Sequence, residues 1–167
     1  TEALILPFFE DEQKDFYSHL DSLIGGLINK VIQSKEFVGK HNEICNIHAR
    51  NINSERLLLI GLGKIKELTA EKIRQAGGMA FSYLRRINVS DVSVSSSILD
   101  SLNINFPYIQ RGIYYLLEGG LLGLYRFDRY KKSENQNSIK KITILSNNKD
   151  LPIKWLESLI EGVYFAV

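Results

Sequence analysis

Four groups of residues in this chain are of types that could do chemistry. Gly61-Leu62-Gly63-Lys64 follows an apolar run and precedes an amphipathic one, the setting in which glycine-rich turns cradle phosphates. His41, Cys45 and His48 carry metal-ligating atoms at short spacing. Ser95-Ser96-Ser97 offers hydroxyl nucleophiles. Tyr125-Arg126-Phe127-Asp128-Arg129-Tyr130-Lys131-Lys132 interleaves aromatics with bases, a pattern able to stack on nucleotides and neutralise phosphates.

Each pattern falls short of a working motif. A dinucleotide fingerprint would need glycine at position 66, where Lys66 stands, and a P-loop would need Ser or Thr where Ile65 stands. Gly61, Gly63 and Lys64 are therefore a candidate ligand loop set against a plain structural turn, and the turn is preferred. As a helix, the segment of His41, Cys45 and His48 would present all three on one face. As a strand, it puts His41 and Cys45 on one side, roughly 13 Å apart, and His48 on the other. Its β-leaning composition favours the strand, and no metal site is expected. The serines lack the glycine framing of a nucleophile elbow. The carboxylates are scattered on solvent faces or at helix starts, so no catalytic set is expected. Arg126, Arg129, Lys131 and Lys132 form a small basic patch, read first as subunit packing and second as a nucleic-acid interface.

The elements that would position these groups follow from periodicity. Arg56 to Lys64 holds four apolar residues between an arginine and the glycine turn, which fits a strand covered on both faces and central to its sheet. Ala3–Phe9 reads as a buried strand that Pro7 places at an edge or bulge. Glu10, Asp11 and Glu12 then open a helix whose apolar stripe (Phe16, Leu20, Leu23, Ile24, Leu27, Ile28, Val31) runs unbroken through Gly25-Gly26. Those glycines imply a close approach to the sheet. Phe37-Val38-Gly39-Lys40 is a turn, and Ile44 to Ala49 a strand. Thr69 caps a helix that buries Ile73, Ala76, Gly77, Ala80, Phe81 and Leu84, small residues that again imply tight packing on the sheet. Asn88–Ser95 is a strand, and Pro107 starts a helix with Ile109, Ile113, Leu116, Leu117, Gly120, Leu121 and Leu124 inward. Ile139 to Leu145 is a fifth strand, and Asp150 with Pro152 opens a last helix. Strands alternating with helices predict an α/β chain with a mainly parallel sheet.

The bulk numbers agree. At 167 residues the sequence fits one domain, 1–167, able to bury roughly 70% of its unfolded surface. Apolar content of 44% and charged content of 24% are those of a globular protein. A net charge of +2 gives no global pull toward nucleic acid or an anionic membrane. The single cysteine excludes an internal disulfide framework, no apolar run approaches membrane-span length, and a soluble cytoplasmic domain is expected.

Arg56-Leu57-Leu58-Leu59-Ile60-Gly61-Leu62-Gly63-Lys64, leading through Glu67-Leu68-Thr69 into a helix, resembles the N-terminal domain of the cytosolic leucyl aminopeptidase family. So does Glu118-Gly119-Gly120-Leu121-Leu122-Gly123-Leu124-Tyr125-Arg126-Phe127-Asp128-Arg129-Tyr130-Lys131 much later, with Phe37–Lys40 and Glu161–Ala166 in the same order. The resemblance implies a three-layer α/β/α, macro-like fold with a mixed sheet. It also implies that the chemistry lies elsewhere. In the family a separate C-terminal catalytic domain holds two divalent metal ions, zinc or manganese, and removes N-terminal residues from peptides. Its Asn-Thr-Asp-Ala-Glu-Gly-Arg-like signature is absent from this sequence, an opening strand before Thr1 is not found, and Val167 falls near where the linker would begin. The expectation is an inactive fragment, without cofactor of its own, of a metal-dependent leucyl aminopeptidase. Its partners would be its own catalytic domain and the sister subunits of a homo-hexamer. Two alternatives stand beside it: a stand-alone macro-like module binding ADP-ribose or a nucleotide, and a DNA-binding module acting through the basic patch, as some bacterial relatives have regulatory DNA roles.

Overall fold

A computed structural model describes residues 1–12, 17–101, 112–124 and 139–146. Its elements are β1 (Ala3–Phe8), α1 (Ser18–Leu23), α2 (Leu27–Gln33), β2 (Ile44–His48), β3 (Arg56–Gly61), α3 (Ala70–Arg86), β4 (Asp91–Ser95), α4 (Ser97–Ser101), α5 (Gly112–Leu124) and β5 (Lys141–Leu145). The five strands form one sheet in the order β2-β3-β1-β4-β5. Only β2 runs antiparallel, against β3; the other pairings are parallel. The α/β reading with a mixed, mainly parallel sheet holds.

Successive residues of a strand face opposite sides of the sheet, and both sides are covered here. Ala3, Ile5, Leu58, Ile60, Val92 and Val94 meet α3 and α5 in one core. Leu4, Leu6, Phe8, Leu57 and Leu59 meet α1 and α2 in the other. Leu57 to Ile60 are wholly buried, which is why that run shows no polar alternation.

Several sequence expectations need correction. The middle of the sheet belongs to β1, not β3. Pro7 sits in that middle strand, neither at an edge nor in a bulge, because its side of the ladder is vacant. Phe8 O accepts from Leu62 N–H (2.8 Å) and so faces β3; Pro7 faces the other way, toward β4, whose pairing with β1 ends at Ile5↔Val94. The Tyr17 hydroxyl donates to the Pro7 carbonyl at 3.2 Å, so proline's missing N–H costs no ladder bond there.

The long first helix is two helices. Gly25 and Gly26 take φ of 72° and 76°, which ends α1 and starts α2, and no atom lies within 4 Å of a Cβ built on either. They serve a bend in open space, not a close approach. Leu23, which an unbroken stripe would bury, is 47% exposed. Asp21, 5% exposed, ties the halves together: its carbonyl accepts from Gly26 N–H (2.8 Å) and its Oδ1 from Ile28 N–H (2.7 Å). Nor do the acids at 10–12 start that helix, since α1 begins at Ser18.

The buried face of α3 is the expected one, Ile73, Ala76, Gly77, Ala80, Phe81 and Leu84, with Thr69 Oγ1 accepting from Lys72 N–H at 3.2 Å as the cap. Its glycines, however, serve α5 and not the sheet. A Cβ on Gly77 would run into the Leu116 carbonyl, and one on Gly119 into the Arg74 carbonyl. Gly120 lies under the Phe81 ring, 2.7 Å from Cδ2 as a Cβ would see it, and Gly123 backs onto Gly78. Polar contacts close the seam: Ser82 Oγ donates to Gly123 O (2.9 Å), Arg85 to Leu124 O (2.8 Å), and the Arg74 guanidinium pairs with Glu118 while lying 4.7 Å from the Tyr115 ring centroid.

On α5, Ile113, Leu116, Leu117 and Gly120 are buried as expected, while Leu121 and Leu124 are half-buried against the same core. The strand read at Asn88–Ser95 is shorter, because Asn88 turns at φ 63° and β4 starts at Asp91. The turn at 103–105, the start of the helix at Pro107 and Ile109, and the helix proposed from Asp150 lie outside the described residues.

Candidate functional site at the glycine loop

β3 delivers Gly61 to the C-terminal edge of the sheet, where ligands of open α/β sheets are commonly held. Here that edge is filled by the chain itself. A Cβ on Gly61 would overlap the Lys40 carbonyl, and Gly63 takes φ 79° against the side chain of His41. The turn at 37–40 is present, with Gly39 at φ 81° pressed on the Phe9 carbonyl.

A phosphate loop works by leaving amides free to point at the anion. These are spent. Gly61 N–H donates to Glu43 O (2.8 Å), Leu62 N–H to Phe8 O (2.8 Å) and Gly63 N–H to Gly39 O (3.0 Å). Beyond exposed Lys64, Ile65 N–H donates to Asp11 Oδ1 (3.0 Å), and the α3 terminus is capped by Thr69. The loop therefore joins three parts of the chain that are distant in sequence.

The three metal-ligating side chains are not brought together. Cys45 packs with the α1–α2 core, whereas His48 is on the opposite side of β2 and exposed. His41 departs from the strand reading: it precedes β2, and Asn42 at φ 64° redirects the chain between them. His41 reaches α3, where Nε2 contacts Gln75 Oε1 at 3.0 Å, on the far side from Cys45. Burial, then Glu36 and Glu43, pushes the Cys45 thiol up, which disfavours the thiolate that a nucleophile or metal ligand needs. Among the described residues, no three His, Cys, Asp or Glu side chains are grouped so as to hold a metal ion.

The carboxylates do more than the sequence suggested. Besides Asp11 and Asp21, Glu43 Oε2 accepts from the amides of Val38 and Lys40, both at 2.9 Å, and shapes the turn that fills the loop. Glu2 accepts from Ser90 N–H (2.6 Å) and Ser90 Oγ (2.9 Å), and these bonds hold its carboxyl below the usual range. A further group escaped sequence reading altogether. Asp100 Oδ2 accepts from Ser96 Oγ (2.5 Å) and Ser146 Oγ (2.9 Å), tying α4 to the ends of β4 and β5. Its only local signal is the i, i+4 spacing of Ser96 and Asp100; Ser146 is 46 residues away. Ser95 Oγ donates to Ser97 Oγ at 3.3 Å, so the serine triplet is engaged within the fold. Arg126, Arg129, Lys131 and Lys132 lie outside the described residues. No described helix is long and apolar enough to cross a membrane.

Residues 5–134 match the profile of the cytosol aminopeptidase family, N-terminal domain. A probable cytosol aminopeptidase of Geobacter sp. (strain M21) is 34% identical over 137 residues, covering 81% of this chain and 26% of the relative. One from Rickettsia typhi is 29% identical over 169 residues, covering 94% of this chain and 33% of the relative. The chain thus spans about a quarter to a third of the length of these curated relatives. Among solved structures, a mutant of tomato leucine aminopeptidase superposes with a TM-score of 0.69 at 19% identity, over 98% of this chain and 32% of that one. The bottromycin maturation enzyme BotP gives 0.63 at 15% identity, over 96% of this chain and 29% of its own. At such identities these two likenesses speak for the fold alone.

Proposed function

Since this chain belongs to the cytosol aminopeptidase family by its N-terminal domain, we propose that it is the non-catalytic, supporting domain of a cytoplasmic two-metal leucyl aminopeptidase that removes N-terminal residues from peptides. In that reading the two ions, zinc or manganese, belong to a catalytic domain outside these residues. There they would polarise the scissile carbonyl and activate a water. This domain would brace that catalytic domain and its sister subunits in a hexamer.

The observation that carries the reading is the match of residues 5–134 to a domain defined as N-terminal, in relatives of which the match covers 26% and 33%. The closed glycine loop is in keeping with it: Gly61, Gly63 and their neighbours join β1, β3 and the turn before β2. With the amides of Gly61, Leu62 and Gly63 bonded within the fold, the loop offers little to ADP-ribose or a nucleotide. The experiment has two arms. The purified chain, incubated with zinc or manganese, is expected to release no leucine from a leucyl peptide beyond a chelator-treated control. Fused to the remaining portion of a relative such as the Geobacter protein, it is expected to give a hexamer with metal-dependent release. Chelator-sensitive hydrolysis by the chain alone overturns the non-catalytic assignment. An active fusion that stays monomeric overturns the assembly role.

A further inference from the structure

We draw no further inference here: the strongest candidate, the hydroxyl–carboxylate cluster of Ser95, Ser96, Ser97, Asp100 and Ser146 at the C-terminal ends of β4 and β5, has its side chains bonded to one another within the fold, and among the described residues no unpartnered buried side chain is aimed into it to show what it would bind.

Discussion

The α3–α5 seam and the α1–α2 elbow are both built on glycine, for opposite reasons. In the seam, Gly77 and Gly119 are helical and need no special dihedral; what they supply is room, because the partner helix's carbonyl occupies the place of a Cβ. In the elbow, Gly25 and Gly26 have open space around them, and what they supply is φ near +75°. The same residue type thus answers a steric demand on one face of the sheet and a conformational demand on the other. A substitution that respects one demand should fail the other.

The seam carries the largest expected effect. Gly77→Ala or Gly119→Ala forces two helix backbones apart across the main core, and each should cost about 3 kcal/mol in urea unfolding. Helix propensity alone would make either change a gain of about 1 kcal/mol, so a gain, or a loss under about 1 kcal/mol, would break the steric account.

Next comes the clasp of the elbow. Asp21→Ala leaves the Ile28 amide without an acceptor in a nearly buried position, for a loss of about 2 kcal/mol. Asp21→Asn keeps an oxygen in place and should recover part of it. Equal losses for the two variants would mean that the charge, and not the acceptor geometry, matters.

At the bend itself, Gly25→Ala should cost only about 1 kcal/mol, the penalty of a side chain at positive φ. Gly25→Asn should cost less, since asparagine tolerates that region, whereas Gly77→Asn should be worse than Gly77→Ala. Reversal of either order in a thermal melt would erase the distinction between the two glycine sites.

The smallest effect lies at the chain start, where Glu2 clasps Ser90 without either demand. Its carboxyl is held low, first by the Ser90 amide and then by the Ser90 hydroxyl. A depressed pKa gives stability that is present above the unfolded value and lost as pH falls through the folded one. The melting gap between the native chain and Glu2→Gln should therefore be open at neutral pH and close as the pH falls below the ordinary carboxylate range. It should be small, because Glu2 is only half-buried and solvent screens its charge. A gap that persists unchanged in acid would assign the contact to shape and not to charge.

The elbow and the seam also show where sequence reading stops. The buried face of α3 was legible in full, since helical periodicity is a local signal and Thr69 marks its start. The double-sided burial of β3 was legible from its unbroken apolar run. The sequence shows a glycine, however, without showing whether space or dihedral demanded it; that depends on Leu116 or Arg74, some 40 residues away. Pro7 misled for the same reason, as its tolerance rests on β4 stopping short and on the Tyr17 hydroxyl. At the candidate site the turn was legible in Gly61 and Gly63. That its amides are taken by Phe8, Gly39 and Glu43 is written in no local pattern, and neither is the seating of His41 on Gln75.

One consequence of the sheet order concerns synthesis. β1 is made before the other four described strands yet lies between β3 and β4, with Ala3 opposite both Arg56 and Val92. While the ribosome is still adding those later strands, Leu4, Ile5, Leu6 and Phe8 have no neighbour on either flank. A greasy strand must wait for some 90 residues before its second partner emerges. Such delayed pairing slows folding and invites nascent chains to clump, so a holding chaperone acting early should raise the yield of this domain more than one acting after release.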